Sequence, residues 1–324
     1  MALSVQASRA GPVMARLCAT YILPLRKNID DDLDGLSQYL TGLSALLDVI
    51  IVDNSAPQFF AEHHRLWHAF ATHVAPDGDC ITANQKVGNV TTGVRKARTE
   101  ALVVADDDVR YSPAALREAV AHLSAADVVR PANYFDPLVW HAALDTARIL
   151  LNRITGGDWP GTLLFRKSTF TRAGGYAGNV LFENFELVRT IVRAGGTACN
   201  ADDVFVKRLP PRTRYFWSQR VRQAYDEFAR PLRLGFFLTL LPAFILGLKQ
   251  HRRGALWLAG LAAILAAETG RRRKGGARVF PIACSFLAPV WLFERAVCSW
   301  LALYARIFLG GVWYGGSRLK HAAT

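Results

Sequence analysis

Beyond Pro231 the chain turns into four apolar stretches, Leu234 to Leu248, Gly254 to Ala267, Val279 to Phe293 and Ala296 to Trp313, and this constrains the fold most. Apolar surface on that scale must be covered by a protein core or by lipid. The remainder of the 324 residues is mixed in character, so mean hydropathy reaches only +0.14. The expected organisation is a tail over 1–16, an α/β domain over 17–230 and a membrane-anchoring helical region over 231–324. Each stretch is at or below the short end for a spanning helix, which needs about 20 residues. Two to four crossings are expected, with some segments lying in the interface.

The net charge of +13 raises the question of a nucleic-acid partner. The basic residues answer it by their placement. Lys249, Arg252 and Arg253 follow one apolar stretch, Arg271 to Lys274 the next, and Arg318 and Lys320 the last. That pattern suits anionic headgroups, and no nucleic-acid-binding module accompanies it. The five cysteines are odd in number and never spaced as CxxC, which argues against a disulfide framework or a zinc site. Met1 to Arg16 lacks the apolar core of a signal peptide, so the α/β domain is expected in the cytosol at the cell membrane.

Between Leu17 and Arg208 short apolar runs alternate with amphipathic helical patterns, the signature of a sheet built from crossover units. Strands are expected at Cys18–Leu25, stopped by Pro24, then at Val49–Val52, Ala101–Ala105, 127–131, 161–166 and 204–208. Helices are expected near 59–72, 141–152 and 183–194. Ser112-Pro113 supplies an N-cap and a first-turn proline for another. Asp106-Asp107-Asp108 therefore sits on the loop leaving a strand, where open α/β sheets bind ligands. Asp106 and Asp108 could share one hard divalent cation, or the triplet could merely cap the next helix. Asp53 ends an earlier strand in the same way.

In these motifs the chain resembles the family 2 glycosyltransferases over roughly Leu17 to Arg230. Ile50 to Ser55 is similar to the strand whose aspartate, here Asp53, contacts the nucleoside base. Lys86 to Gly93 is similar to the Lys-x-Gly-x-x-Asn-x-Gly segment, with Thr91 where asparagine is usual. Asp106 to Asp108 resembles the DxD motif on the donor diphosphate. Gly161 to Arg166 and Ala173 to Tyr176 resemble the acceptor-side strand and turn. The resemblance implies a nucleotide-sugar-binding glycosyltransferase A-type (Rossmann-like) domain, with Asp53, Lys86, Asp106 and Asp107 at the donor and Mg2+ or Mn2+ on Asp106 and Asp108.

Phe182 to Leu187 falls where the family carries an acidic pair that supplies a general base. Asn184 replaces the second acid and cannot accept a proton, leaving Glu183 or Glu186. Gln219 to Gln223 resembles the QxxRW motif of the lipid-directed, ceramide glucosyltransferase-like branch, with Gln223 in place of tryptophan. Gln219 and Arg222 share a helix face that could meet the diphosphate and acceptor, although a basic helix lying on the bilayer would look similar. His64 and His68 have a metal-like spacing but no further ligand, and read as an exposed face. Trp159, in the turn-rich 156–161 loop, could stack on a sugar or cover the core.

The implied reaction is inverting transfer from a nucleotide-sugar donor to a lipid, lipid-linked or glycan acceptor at the membrane. The alternatives are a non-catalytic nucleotide-sugar-binding scaffold, suggested by Asn184 and Gln223, and a small transporter. Few charges interrupt the apolar stretches, which offers a transporter little substrate path.

Overall fold

The computed structural model describes residues 15–27, 33–314 and 316–324; all of the expected tail except Ala15 and Arg16 lies outside them. The order begins β1 (Ala19–Leu25), α1 (Asp34–Ser44), β2 (Asp48–Asp53), α2 (Pro57–Trp67), β3 (Thr72–Val74), α3 (Gln85–Lys96) and β4 (Ala101–Ala105). It continues with β5 (Val109–Arg110), α4 (Pro113–Ala121), β6 (Val128–Phe135), α5 (Trp140–Ile154), β7 (Thr162–Arg166), α6 (Lys167–Arg172), α7 (Glu183–Arg193) and β8 (Ala198–Arg208). These strands form one mixed sheet in the order β3-β2-β1-β4-β7-β6-β8-β5.

The parallel half, β3-β2-β1-β4, carries the Val- and Ile-rich runs, buried on both faces as such strands require. Tyr21, Leu23, Ile51 and Val103 pack on one side with Leu36, Leu40 and Leu43 of α1 and Leu116 of α4. Ile22, Val52 and Val104 alternate to the other side, against Val90 and Val94 of α3 and Leu187 and Ile191 of α7. Pro24 does not stop β1, contrary to expectation. Beyond Ile22 the β4 side is no longer paired, so a residue without an N–H is tolerated there. Ser112 caps α4 as expected, accepting from the Ala115 N–H at 3.2 Å.

The rest of the chain is helical: α8 (Thr213–Tyr225), α9 (Pro231–Lys249), α10 (Arg253–Arg272), α11 (Ala283–Phe286) and α12 (Ala288–Phe308), closed by a hairpin of β9 (Val312–Tyr314) and β10 (Ser317–Leu319). The third and fourth apolar stretches do not form separate helices. Glu294 and Arg295, which separate them in sequence, are accommodated inside α12, where Arg295 is buried and Glu294 pairs with Arg220. Trp313 falls in β9. Among the described residues, only α9 is long and apolar enough to cross a membrane.

These helices share a core with the sheet-bearing half. Leu144 and Leu150 of α5 and Phe216 of α8 pack with Phe237, Ala267 and Trp291. A methyl group on Gly270 of α10 would lie 1.9 Å from the Leu150 carbonyl oxygen, so this crossing needs glycine. Outward, Leu232, Phe236, Trp257, Leu258, Leu265, Ile307 and Phe308 are more than half exposed.

Candidate active site

A cleft of about 330 Å3 opens at the carboxyl ends of β1 and β4. It takes Arg26 from the β1 end, Lys86 and Asn89 from α3, the acidic triplet after β4, Glu183 from the first turn of α7, and Arg208 from the end of β8. Gln219 and Arg222 of α8 and Tyr314 of β9 complete the lining.

Local structure fixes each part. Asn84 caps α3 by accepting from the Lys86 N–H, and its own amide donates to the Val180 carbonyl, tying α3 to the segment before α7. The Asn89 amide donates to the carbonyls of Leu25 and Val52 at 3.1 and 3.0 Å, gripping two strand ends. The Asp106 N–H donates to the Gly161 carbonyl and the Leu209 N–H to the Asp108 carbonyl, so the triplet is held between β7 and β8.

The charges interlock. Lys86 Nζ lies 2.6 Å from Asp106 Oδ1 and 2.7 Å from Glu183 Oε1. Burial opposes the ammonium, but those two carboxylates outweigh it and hold Lys86 well above its ordinary pKa. Arg208 Nε donates to Asp108 Oδ2 at 2.8 Å, and its other end lies 3.7 Å from Asp106 Oδ2. Burial pushes the Asp108 carboxyl up to about 6 against the pull of Arg208. Asp107 faces Lys27 at 3.3 Å.

The residues here fit an oxygen-ligated divalent cation. Asp106 and Asp108 supply hard donors. Asp108 Oδ1 is buried without a hydrogen-bond partner. A Cβ on Gly161 would lie 2.8 Å from Asp106 Oδ2, so glycine is what leaves that carboxylate its room.

Two sequence candidates stand elsewhere. Asp53 does not line the cleft: its buried carboxylate accepts from His63 Nδ1 at 2.6 Å, His73 Nε2 at 3.1 Å and the Ser55 N–H at 2.9 Å. The histidine cluster is thus His63 and His73, with His64 touching His73, rather than the His64 and His68 pair. Glu186 is also buried away from Glu183; it binds Arg189 at 3.2 Å and accepts from Thr324. Three residues apart on a helix, the two glutamates could share a face, but the chain arriving at residues 321–324 covers the second.

Asn184 has a structural use, since its amide donates to the Pro160 carbonyl at 3.0 Å and braces the 156–161 loop. Trp159 packs edge-on against Phe182 and Phe185 and carries the Arg130 guanidinium over its ring, away from the cleft lining. Gln223, where tryptophan was expected, accepts from Arg220, which also reaches Asp145 and Glu294. Arg208 and Tyr314 escaped the sequence reading. The acidic triplet demanded a cation, but nothing in sequence indicated which of 39 basic residues would supply it.

The sequence profile of glycosyl transferase family 21 matches residues 58–240, more than half of the chain. The chain belongs to this family. The ceramide glucosyltransferase-like branch read from the sequence is therefore the right one. No curated protein matches the sequence of this family 21 member. Its fold is similar to that of a mannosyltransferase from Pyrobaculum calidifontis in complex with GDP-Man and Mn2+, 18% identical, with a TM-score of 0.52 over 89% of this chain and 88% of that one. TarS residues 1–349 from S. aureus in complex with UDP-GlcNAc align over 62% of this chain and 60% of theirs, with 12% identity and a TM-score of 0.42. Mannosyl-3-phosphoglycerate synthase from Rubrobacter xylanophilus aligns over 62% and 69%, with 13% identity and a TM-score of 0.40. The mixed sheet of this family 21 glycosyltransferase is thus of the A type.

Proposed function

We propose that this glycosyltransferase moves a sugar, with inversion, from a nucleotide-sugar donor to a lipid or lipid-linked acceptor at a membrane surface. The observation that carries the reading is the cleft itself, where Asp106 and Asp108 stand beside Lys86 and Arg208, with Glu183 2.7 Å from Lys86. Asp106 and Asp108 would hold Mg2+ or Mn2+, which supplies positive charge to the departing diphosphate when bound. Lys86, Arg208 and Arg222 add fixed positive charge around the same volume, the arrangement that stabilises charge developing on a leaving group.

Glu183 is the general base of this mechanism. Its carboxylate lines the cleft and takes the proton of the acceptor hydroxyl at an Oε atom. In the free protein the Lys86 ammonium is shared between Asp106 and Glu183, so an arriving diphosphate competes for it and leaves Glu183 free to accept. Asp53 serves as a buried brace under the nucleoside side of the site.

The acceptor class follows from the outward face of α9, α10 and α12, whose exposed aromatic and aliphatic side chains, rimmed by Lys249, Arg252 and Arg253, suit a lipid surface. The membrane is then both anchor and source of acceptor, with the α/β half on the cytoplasmic side and the apolar helices beginning near Pro231. Membranes containing the protein should transfer label from one of a panel of radioactive nucleotide sugars into the lipid extract. Label found only in water-soluble products would exclude the lipid acceptor, and none with any donor would favour a nucleotide-sugar-binding scaffold.

A further inference from the structure

The hairpin after α12 returns to the catalytic half and is fastened there at several points. The chain leaves α12 through Gly310 and Gly311, both at positive φ, and a side chain on Gly311 would strike the Leu319 carbonyl oxygen at 2.3 Å. Ser317 Oγ donates to the Ala83 carbonyl at 2.8 Å, just before α3. The Leu181 and Phe182 N–H groups donate to the carbonyls of His321 and Ala322 at 3.0 and 2.8 Å. Tyr225 at the end of α8 donates to the Lys320 carbonyl at 2.8 Å. Val312 and Leu319 are buried among Leu181, Ala224 and Tyr225.

Strand alternation then decides where the two aromatic residues of β9 go. Trp313 is 65% exposed, whereas Tyr314 turns into the cleft. The Arg222 guanidinium lies 4.9 Å from the centre of the Tyr314 ring, and its Nε donates to Gln219 Oε1. A long arginine side chain is thus held on one edge by an amide and on one face by a ring, with Asp106, Lys86 and Glu183 in the same cleft.

We propose that Tyr314 is a positioning residue, its ring fixing the Arg222 guanidinium for the donor diphosphate, so that a segment beyond the apolar helices completes the site. The inference rests on the nucleotide-sugar reading of the cleft. A fixed guanidinium meets the diphosphate already oriented; a free one must first be ordered, which weakens binding and slows departure of the leaving group.

The test is calorimetric binding of pyrophosphate with Mn2+ to the full-length protein in detergent, in wild type, Tyr314→Phe, Tyr314→Leu, Tyr314→Gln, Arg222→Gln and the double variant Tyr314→Leu/Arg222→Gln. Tyr314→Leu should weaken binding by about tenfold and Tyr314→Phe should restore it, because the ring rather than the hydroxyl does the holding. The double variant should bind no more weakly than Arg222→Gln alone. Tyr314→Gln replaces the leucine variant should the latter unfold at a lower temperature than wild type. Wild-type affinity in both ring-less variants, losses that simply add in the double variant, or a phenylalanine variant as weak as leucine overturns the role of Tyr314 alone. A wild type that binds no pyrophosphate overturns the donor-site reading, and the role of Tyr314 with it.

Discussion

Two glutamates one helical turn apart, Glu183 and Glu186, illustrate how the site is settled residue by residue. Glu183 lines the cleft beside Lys86, whereas Glu186 is buried under residues 321–324. Glu183→Gln should lower kcat by about 100-fold or more with donor binding intact, and Glu186→Gln should leave kcat near wild type, as steady-state rates with the accepted donor would show. Asn184 supports the same division of labour. Restoring an acid by Asn184→Asp removes the donor to the Pro160 carbonyl and should cost about 1–3 kcal/mol in a denaturant titration, without raising the rate. An increase in turnover would mean that position 184 addresses the acceptor.

The legibility of these residues differs for a physical reason. Acids at strand ends are announced by local pattern, which is how Asp106 and Asp108 could be read from sequence, whereas Glu183 came with the motif resemblance. Their partners come from far along the chain: Arg208 lies 100 residues beyond Asp108, and Tyr314 more than 90 beyond Arg222. Nothing in a local pattern encodes such pairings.

At the scale of elements, β2, α2 and β3 are joined at Asp53. Burial works against this carboxylate, but hydrogen bonds from His63, His73 and Ser55 outweigh it and hold its pKa below the ordinary carboxylate range. Because the folded value lies below the unfolded one, the stability it contributes is present at neutral pH. It starts to fall near the unfolded value and is gone below the folded one. Unfolding free energy measured against pH should therefore decline more steeply on the acid side in wild type than in Asp53→Asn, which should be less stable at neutral pH. Parallel curves would detach Asp53 from acid stability. The strands and helices around it were legible because Val, Ile and Leu recur with the period of each element. The continuity of α12 was not, because Glu294 and Arg295 read as an interruption until Arg220 is seen facing Glu294.

Across the whole molecule, the change in composition at Pro231 is not a break in packing. Arg220 lies 3.0 Å from Asp145 of α5 and 2.6 Å from Glu294 of α12, with all three largely buried, and α5 shares its core with α9, α10 and α12. Arg220→Met leaves the largely buried Glu294 without its paired cation and strips Asp145 of one of its two, Arg148 being the other, and should cost about 3–5 kcal/mol, read from chemical denaturation in detergent. The apolar helices thus form the floor of the catalytic half while presenting an exposed apolar face outward, and their hairpin returns to the cleft. The proposed function rests on a cation held on the donor by Asp106 and Asp108. Its most direct test is the initial rate of sugar transfer against Mn2+ concentration, after chelation, in wild type and Asp108→Asn. Chelated wild type should transfer no sugar and recover saturably as Mn2+ is restored, and a folded Asp108→Asn should not recover; undiminished transfer by chelated wild type or by the variant would mean that these carboxylates hold no cation the reaction needs.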